Sequence, residues 1–322
     1  MVPRVAVVGA GRVGVEVAKH ILLMDLADVV LIDVRQRVAE GEALDLSHMA
    51  ALLGISRSVE ASGSYEAIKG CDLVVIAAGQ PRKAGMSREE LMCANARIVK
   101  GIAEAAACYA PHSVIIVVTN PVDALTYVTW RFSGFDRWRV MGFGSMLDSA
   151  RLAYAVSRIL GVSPSSINPL VLGEHGEAMA PMLRLSTVFG TPLTQVLTPE
   201  QQRAVVDEVR RAGSRIIELR GWSANHAPGA GVALLARAVL RDERRVLPVS
   251  VVLDGEYGYR GIPLSVPAVI GRRGVLRIIE LELEKSERRA LERAAAVIKE
   301  ILRYLEELGI GTSQARHPSS DL

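Results

Sequence analysis

Val5-Ala6-Val7-Val8-Gly9-Ala10-Gly11-Arg12-Val13-Gly14 decides the fold of this 322-residue chain. A short, valine-rich apolar run breaks into glycines spaced GxGxxG, and from Val13 to Met24 apolar residues recur at helical spacing. The segment reads as strand, turn and helix. Val29 to Ile32 supplies the next buried strand. The opening is therefore a βαβ unit of about 30 residues, whose right-handed crossover requires a parallel sheet.

The alternation continues outward from that unit. Leu73 to Ala77 and Val114 to Val118 have strand length, separated by a helix from about Arg88 to Tyr109 and followed by another after Pro121. These strands are apolar on both faces, as a sheet covered by helices on both sides requires. After about residue 145 the pattern changes. A helix over Leu147 to Leu160, an extended stretch near Leu170 and a helix over Pro199 to Leu219 lead to antiparallel strands at Val246 to Leu253 and Leu264 to Ile270. A long helix over Ser286 to Leu308 closes the chain. The expected fold is α/β: an N-terminal doubly wound parallel sheet (Rossmann) over residues 1–144, a C-terminal mixed α/β substrate domain over 145–310, and a flexible tail over 311–322.

Composition narrows the class. With half of its residues hydrophobic, the chain can bury a sizeable core. No apolar run reaches the roughly 18 residues of a membrane span, and no signal-like region precedes Val5, so the expected location is the cytoplasm, away from membranes. Formal charge is +3, but acidic and basic residues are interspersed and aromatics make up only 4%, which argues against a nucleic-acid surface. Cys71, Cys93 and Cys108 lack CxxC spacing and a nearby histidine cluster; buried free thiols are expected, with no metal site. Arginine outnumbers lysine about five to one. That bias fits either a heat-adapted protein or the base composition of its gene.

The glycine spacing has a chemical meaning in this context. Gly9 allows the tight turn, Gly11 lets a pyrophosphate approach the backbone, and Gly14 permits close packing of helix on strand. The phosphates would rest on the helix N-terminus at Arg12 and Val13, where unpaired N–H groups and the helix dipole favour anions. Asp33, about 20 residues beyond the glycines, can accept hydrogen bonds from an adenosine ribose and would repel a 2′-phosphate. NAD is thus the expected cofactor. Arg35 can partly offset the repulsion, which leaves NADP as a secondary one.

Downstream stand Leu147-Asp148-Ser149-Ala150-Arg151 and Gly173-Glu174-His175-Gly176. One histidine, one carboxylate and one arginine are what a hydride-transfer site needs to move a proton while gripping a carboxylic acid. With the glycines, Asp33, Gly79 to Arg88 and Asn120-Pro121 in the same order, the chain resembles the lactate and malate dehydrogenases over residues 2 to 310, most of all the lactate-dehydrogenase-like malate dehydrogenases of bacteria and archaea.

The resemblance implies roles. His175 matches the catalytic acid/base, Asp148 its partner carboxylate, and Arg151 the grip on the substrate's C1 carboxylate. Arg88 matches the residue that polarises the reacting carbonyl, within a loop from Gly79 to Arg88 that closes over substrate. Arg82 matches the position that is arginine in malate dehydrogenases and glutamine in lactate dehydrogenases, so malate and oxaloacetate are the implied dicarboxylate substrates; a lactate or broad 2-hydroxy-acid dehydrogenase is the alternative. Asn120 matches a substrate-binding residue, Val118 to Asn120 line the nicotinamide, and Asn95 matches a further NAD contact. The Asn120-Pro121 bond is a candidate for the cis form. The pattern departs at Arg220 to Pro228, where Asn225 and His226 replace the family's bulky residues and change the character of the pocket wall. Assembly as a homotetramer or a dimer is likewise implied by the resemblance alone.

Overall fold

The computed structural model describes residues 2–80 and 87–310, the side chain of Arg88 excepted. The proposed tail over 311–322 lies outside the described residues. In chain order the elements are β1 (Arg4–Val8), α1 (Arg12–Leu23), β2 (Asp28–Ile32), α2 (Gln36–Leu53), β3 (Val59–Ser62), β4 (Leu73–Ile76), α3 (Arg88–Tyr109), β5 (Val114–Val117), α4 (Val122–Ser133), β6 (Val140–Gly142) and α5 (Ser145–Leu160). Five two-residue strands follow: β7 (Ile167–Asn168), β8 (Val171–Leu172), β9 (Ala180–Pro181), β10 (Thr187–Val188) and β11 (Thr191–Pro192). The chain continues through α6 (Leu193–Val196), α7 (Pro199–Arg220), α8 (His226–Leu240), β12 (Arg245–Asp254), β13 (Arg260–Gly271), β14 (Gly274–Ile278) and α9 (Lys285–Glu307).

Six parallel strands run β3-β2-β1-β4-β5-β6 across one sheet. This is the doubly wound order, and its direction reverses between β1 and β4, where a crevice opens beyond the carboxyl ends of the strands. Residues 5–8, 73–76 and 114–117 are all at most 2% exposed, as strands covered on both faces must be.

The mixed region after residue 145 contains the expected antiparallel pair, β12 with β13. These strands do not form a sheet of their own. Ser250 of β12 pairs with Gly142 of β6, so β12, β13 and β14 extend the parallel sheet to nine strands. A second, smaller core of Leu152, Val156, Ile167, Val171, Leu193, Val205 and Val209 lies between α5, α7 and the short strands.

Side-chain chemistry fixes the helix starts nearest the crevice and above α5. Ser87 Oγ accepts the Glu90 N–H at 3.0 Å while Glu90 accepts the Ser87 N–H at 2.8 Å, and Thr198 and Gln201 repeat the arrangement on α7. Such caps contribute about 1 kcal/mol each. No helix among the described residues is long and apolar enough to cross a membrane. Cys71 and Cys93 are buried free thiols; Cys108 departs from expectation, because it faces outward from α3.

Candidate active site

The glycine turn after β1 forms one wall of the crevice. Gly9 has φ of +109°, and a Cβ there would lie 2.5 Å from the Ala78 nitrogen, so both conformation and space demand glycine. At Gly14 a Cβ would collide with the Gly9 carbonyl, whereas one at Gly11 would meet nothing within 4 Å. That open face, next to an α1 start with no side-chain cap, fits a diphosphate approaching the first-turn N–H groups of Arg12 and Val13.

Asp33 follows β2 on the other side of this turn. Its Oδ2 accepts the Ala10 N–H and its Oδ1 the Arg35 N–H, both at 2.9 Å; Arg35 Nε adds a contact at 3.3 Å. Burial resists ionisation, but these hydrogen bonds outweigh it and hold the carboxyl below the usual range. Asp33 therefore braces the glycine turn, and its remaining lone pairs suit a ribose diol.

Across the crevice, Asn95 joins the loops that follow β4 and β5. It is 4% exposed, accepts the Gln80 N–H at 2.8 Å and donates to the Asn120 carbonyl at 3.1 Å. One lone pair and one N–H of its amide remain for a nucleotide. Thr119 binds the Ala78 carbonyl at 2.7 Å, Val118 is half-buried, and Asn120 is exposed before a cis bond to Pro121. Arg82 and the side chain of Arg88 lie outside the described residues.

Asp148, Arg151 and His175 come together from α5 and the loop after β8. Asp148 and Arg151 are one turn apart on α5, hence on one face. His175 follows β8 in a loop whose entry glycine, Gly173, has φ of +90° and packs so close to Ala294 of α9 that a Cβ would lie 2.7 Å away. Asp148 is wholly buried; its Oδ2 lies 2.7 Å from His175 Nδ1, and its Oδ1 accepts from Arg151 Nη1 at 3.1 Å. Holding Nδ1 leaves Nε2 for a reacting oxygen. Burial alone would depress the imidazole pKa, but the charge and hydrogen bond of Asp148, helped by Asp123, raise it above 6.5 against the opposing Arg151.

Sequence assigned no role to two neighbours of His175. Asp123, in the first turn of α4, is 2% exposed and accepts the His175 backbone N–H at 2.8 Å; burial pushes its carboxyl pKa up. In sequence it is an ordinary first-turn acid, and only the packing of α4 beneath the loop gives it this position. Glu174 curls over Gly176 and accepts the Ala178 N–H at 3.0 Å; burial, reinforced by the nearby Asp123 charge, raises it to about 7.

The raised Glu174 has a testable consequence. A carboxyl held more tightly protonated when folded loses stability as pH rises from 4.5 through about 7. Glu174→Gln, which keeps the acceptor and removes the charge, is expected to stabilise the protein above pH 7 by at most about 3 kcal/mol and to have no effect below pH 4.5. Denaturant melts at pH 4.5 and 8 check this; equal changes at both would contradict a buried, strained carboxylate.

The departing segment makes unexpected contacts. Asn225 is 7% exposed and takes a hydrogen bond from Arg220; His226 begins α8 and lies 3.1 Å from Glu16 of α1. His226 thus serves a pair between α8 and α1.

Comparison with known proteins agrees with this architecture. Residues 3–142 match the family model described as lactate/malate dehydrogenase, NAD binding domain, and residues 145–308 match the lactate/malate dehydrogenase, alpha/beta C-terminal domain. The malate dehydrogenase of Thermoproteus tenax is 50% identical over 94% of this chain and 98% of its own. That of Pyrobaculum aerophilum is 47% identical over 92% and 97%. The solved malate dehydrogenase of Aeropyrum pernix superposes with a TM-score of 0.90 at 45% identity, covering 93% of this chain and 97% of that one. The lactate dehydrogenase of Eimeria maxima, solved with NADH and oxamate, gives 0.93 at 32% identity, covering 98% of both.

Proposed function

Because the chain belongs to the lactate/malate dehydrogenase family, we propose that it catalyses the reversible NAD-linked interconversion of malate and oxaloacetate, with His175 as the proton carrier. What supports this above all is the position of one carboxylate: Asp148 holds His175 at 2.7 Å through one oxygen and Arg151 at 3.1 Å through the other. Residues 1–144 form the cofactor half and 145–310 the substrate half of this proposal.

When bound, the nicotinamide supplies the hydride to the carbonyl carbon. The chain's own groups do the rest. Imidazolium His175 gives a proton from Nε2 to the carbonyl oxygen, and Asp148 stabilises the charged ring and fixes its orientation. The remaining donors of Arg151 grip the C1 carboxylate as a planar pair. Arg88 polarises the carbonyl, and Asn120 adds a donor to the substrate. In the reverse direction neutral His175 takes the hydroxyl proton. Asp33 at the ribose favours NAD; Arg35 is 63% exposed and able to leave Asp33 for a 2′-phosphate, so NADP is the secondary cofactor.

Arg82 is assigned to the second carboxylate of oxaloacetate. With pyruvate, that guanidinium would be desolvated without a partner, at a cost of several kcal/mol. Steady-state NADH oxidation is expected to favour oxaloacetate over pyruvate by about 100-fold or more in kcat/KM, and Arg82→Gln to shift preference toward pyruvate. Comparable wild-type use of pyruvate would favour the broad 2-hydroxy-acid reading; an unchanged preference in the variant would overturn the Arg82 assignment. A homotetramer, or a dimer, is also proposed. Leu44 and Leu52, about two turns apart on one side of α2, are 58% and 87% exposed, which suits a helix face covered by another copy, and a sedimentation mass would decide it.

A further inference from the structure

Trp222 lies in the corner between α7 and α8, and two guanidiniums approach its ring. Arg12, the first residue of α1, is 4.6 Å from the indole centroid, and Arg220 is 5.0 Å from it. The corner is anchored against α1 by two further contacts: His226 to Glu16 at 3.1 Å, and the close approach of Gly229 to the Glu16 backbone.

The charge at this ring is unbalanced. Arg220 donates to the neutral amide of Asn225, and its Nε is buried without an acceptor. Among the described residues neither Arg12 nor Arg220 has a carboxylate partner, whereas Glu16, one turn along α1, is engaged by Lys19 at 2.6 Å and by His226. Two like charges at one indole repel. The arrangement is favourable when an anion lies beside them, and the open face of Gly11 adjoins Arg12.

We propose that Trp222 is a positioning residue for the cofactor's diphosphate: it holds Arg12 beside the glycine turn, with Arg220 as a second cation at the same ring. The substrate half of the chain would then contribute to cofactor affinity through this corner. The proposal rests on the NAD reading above. It differs from the glycine-turn site in using a side chain more than 200 residues away in sequence, contributed by the segment where the family pattern breaks.

The test is calorimetric titration of the full-length protein with ADP-ribose, which carries the diphosphate, and with adenosine, which does not. Trp222→Ala is expected to weaken ADP-ribose binding about fivefold to tenfold, with adenosine unchanged, and Trp222→Phe to keep wild-type affinity within about twofold because a ring face remains. Wild-type tryptophan emission is expected to change with ADP-ribose, and that change to vanish in Trp222→Phe. ADP-ribose affinity unchanged in Trp222→Ala, or an equal loss for adenosine, would overturn the positioning role while leaving the NAD reading intact. A wild-type protein that does not bind ADP-ribose would overturn both.

Discussion

Replacing His175 by Asn is expected to lower kcat for oxaloacetate reduction by about 100-fold to 10,000-fold while NADH affinity stays within about twofold. Asparagine can still donate a hydrogen bond toward the carbonyl, but it has no proton to release, so general acid chemistry is lost and the binding surface is kept. Stopped-flow titration of NADH fluorescence, set beside steady-state rates, separates the two. A variant with near-normal turnover would remove His175 from the chemistry. The companion change, Asp148→Asn, tests how the histidine is tuned. Asp148 is the main group raising the imidazole pKa. In the proposed mechanism reduction needs imidazolium, so its rate is expected to hold through pH 6.5 and fall as pH rises through the raised pKa, with malate oxidation rising over the same range. Loss of the Asp148 charge should move that limb to lower pH. An unshifted limb would mean that the 2.7 Å pair does not set the proton affinity of the ring.

Arg151→Gln is expected to reduce kcat/KM for oxaloacetate by about 100-fold to 1,000-fold, with a rise in KM as the main component. The side chain is 16% exposed and already gives one donor to Asp148, so its remaining donors act in a nearly dry setting where losing a carboxylate partner costs about 3–4 kcal/mol. Arg151→Lys should retain part of the affinity, because a point charge survives although the planar pair does not. A pH profile gives the second readout. Arg151 lowers the His175 pKa, so its removal should carry the reduction limb to higher pH, opposite to the shift from Asp148→Asn. An unchanged KM would show that another cation holds the substrate carboxylate.

Much of this protein was legible in one dimension, and the failures have physical causes. The strands at Val5, Leu73 and Val114 announced themselves because a fully buried parallel strand needs unbroken apolar residues. Helix α2 escaped notice because its buried face is mainly alanine, with Ala39, Ala43, Leu46 and Ala50, and leaves a faint stripe. Strand β3, Val-Glu-Ala-Ser at the sheet edge, is half polar and lacks the signature of its neighbours. The antiparallel strands were visible, but their hydrogen bonding to β6 was not, since nothing local distinguishes joining an old sheet from founding a new one.

The sequence by itself determined the alternation of elements, the glycine turn and the residue types required for proton transfer, because strand period, helix period and turn stereochemistry are local properties. Tertiary structure decided which of those residues meet. His175 is separated by 27 positions from Asp148 and by 52 from Asp123, and the three converge only because the first turns of α4 and α5 meet the loop after β8. Their proton affinities follow from that convergence: burial disfavours charge and a neighbouring charge restores it, and neither effect exists until the chain has folded.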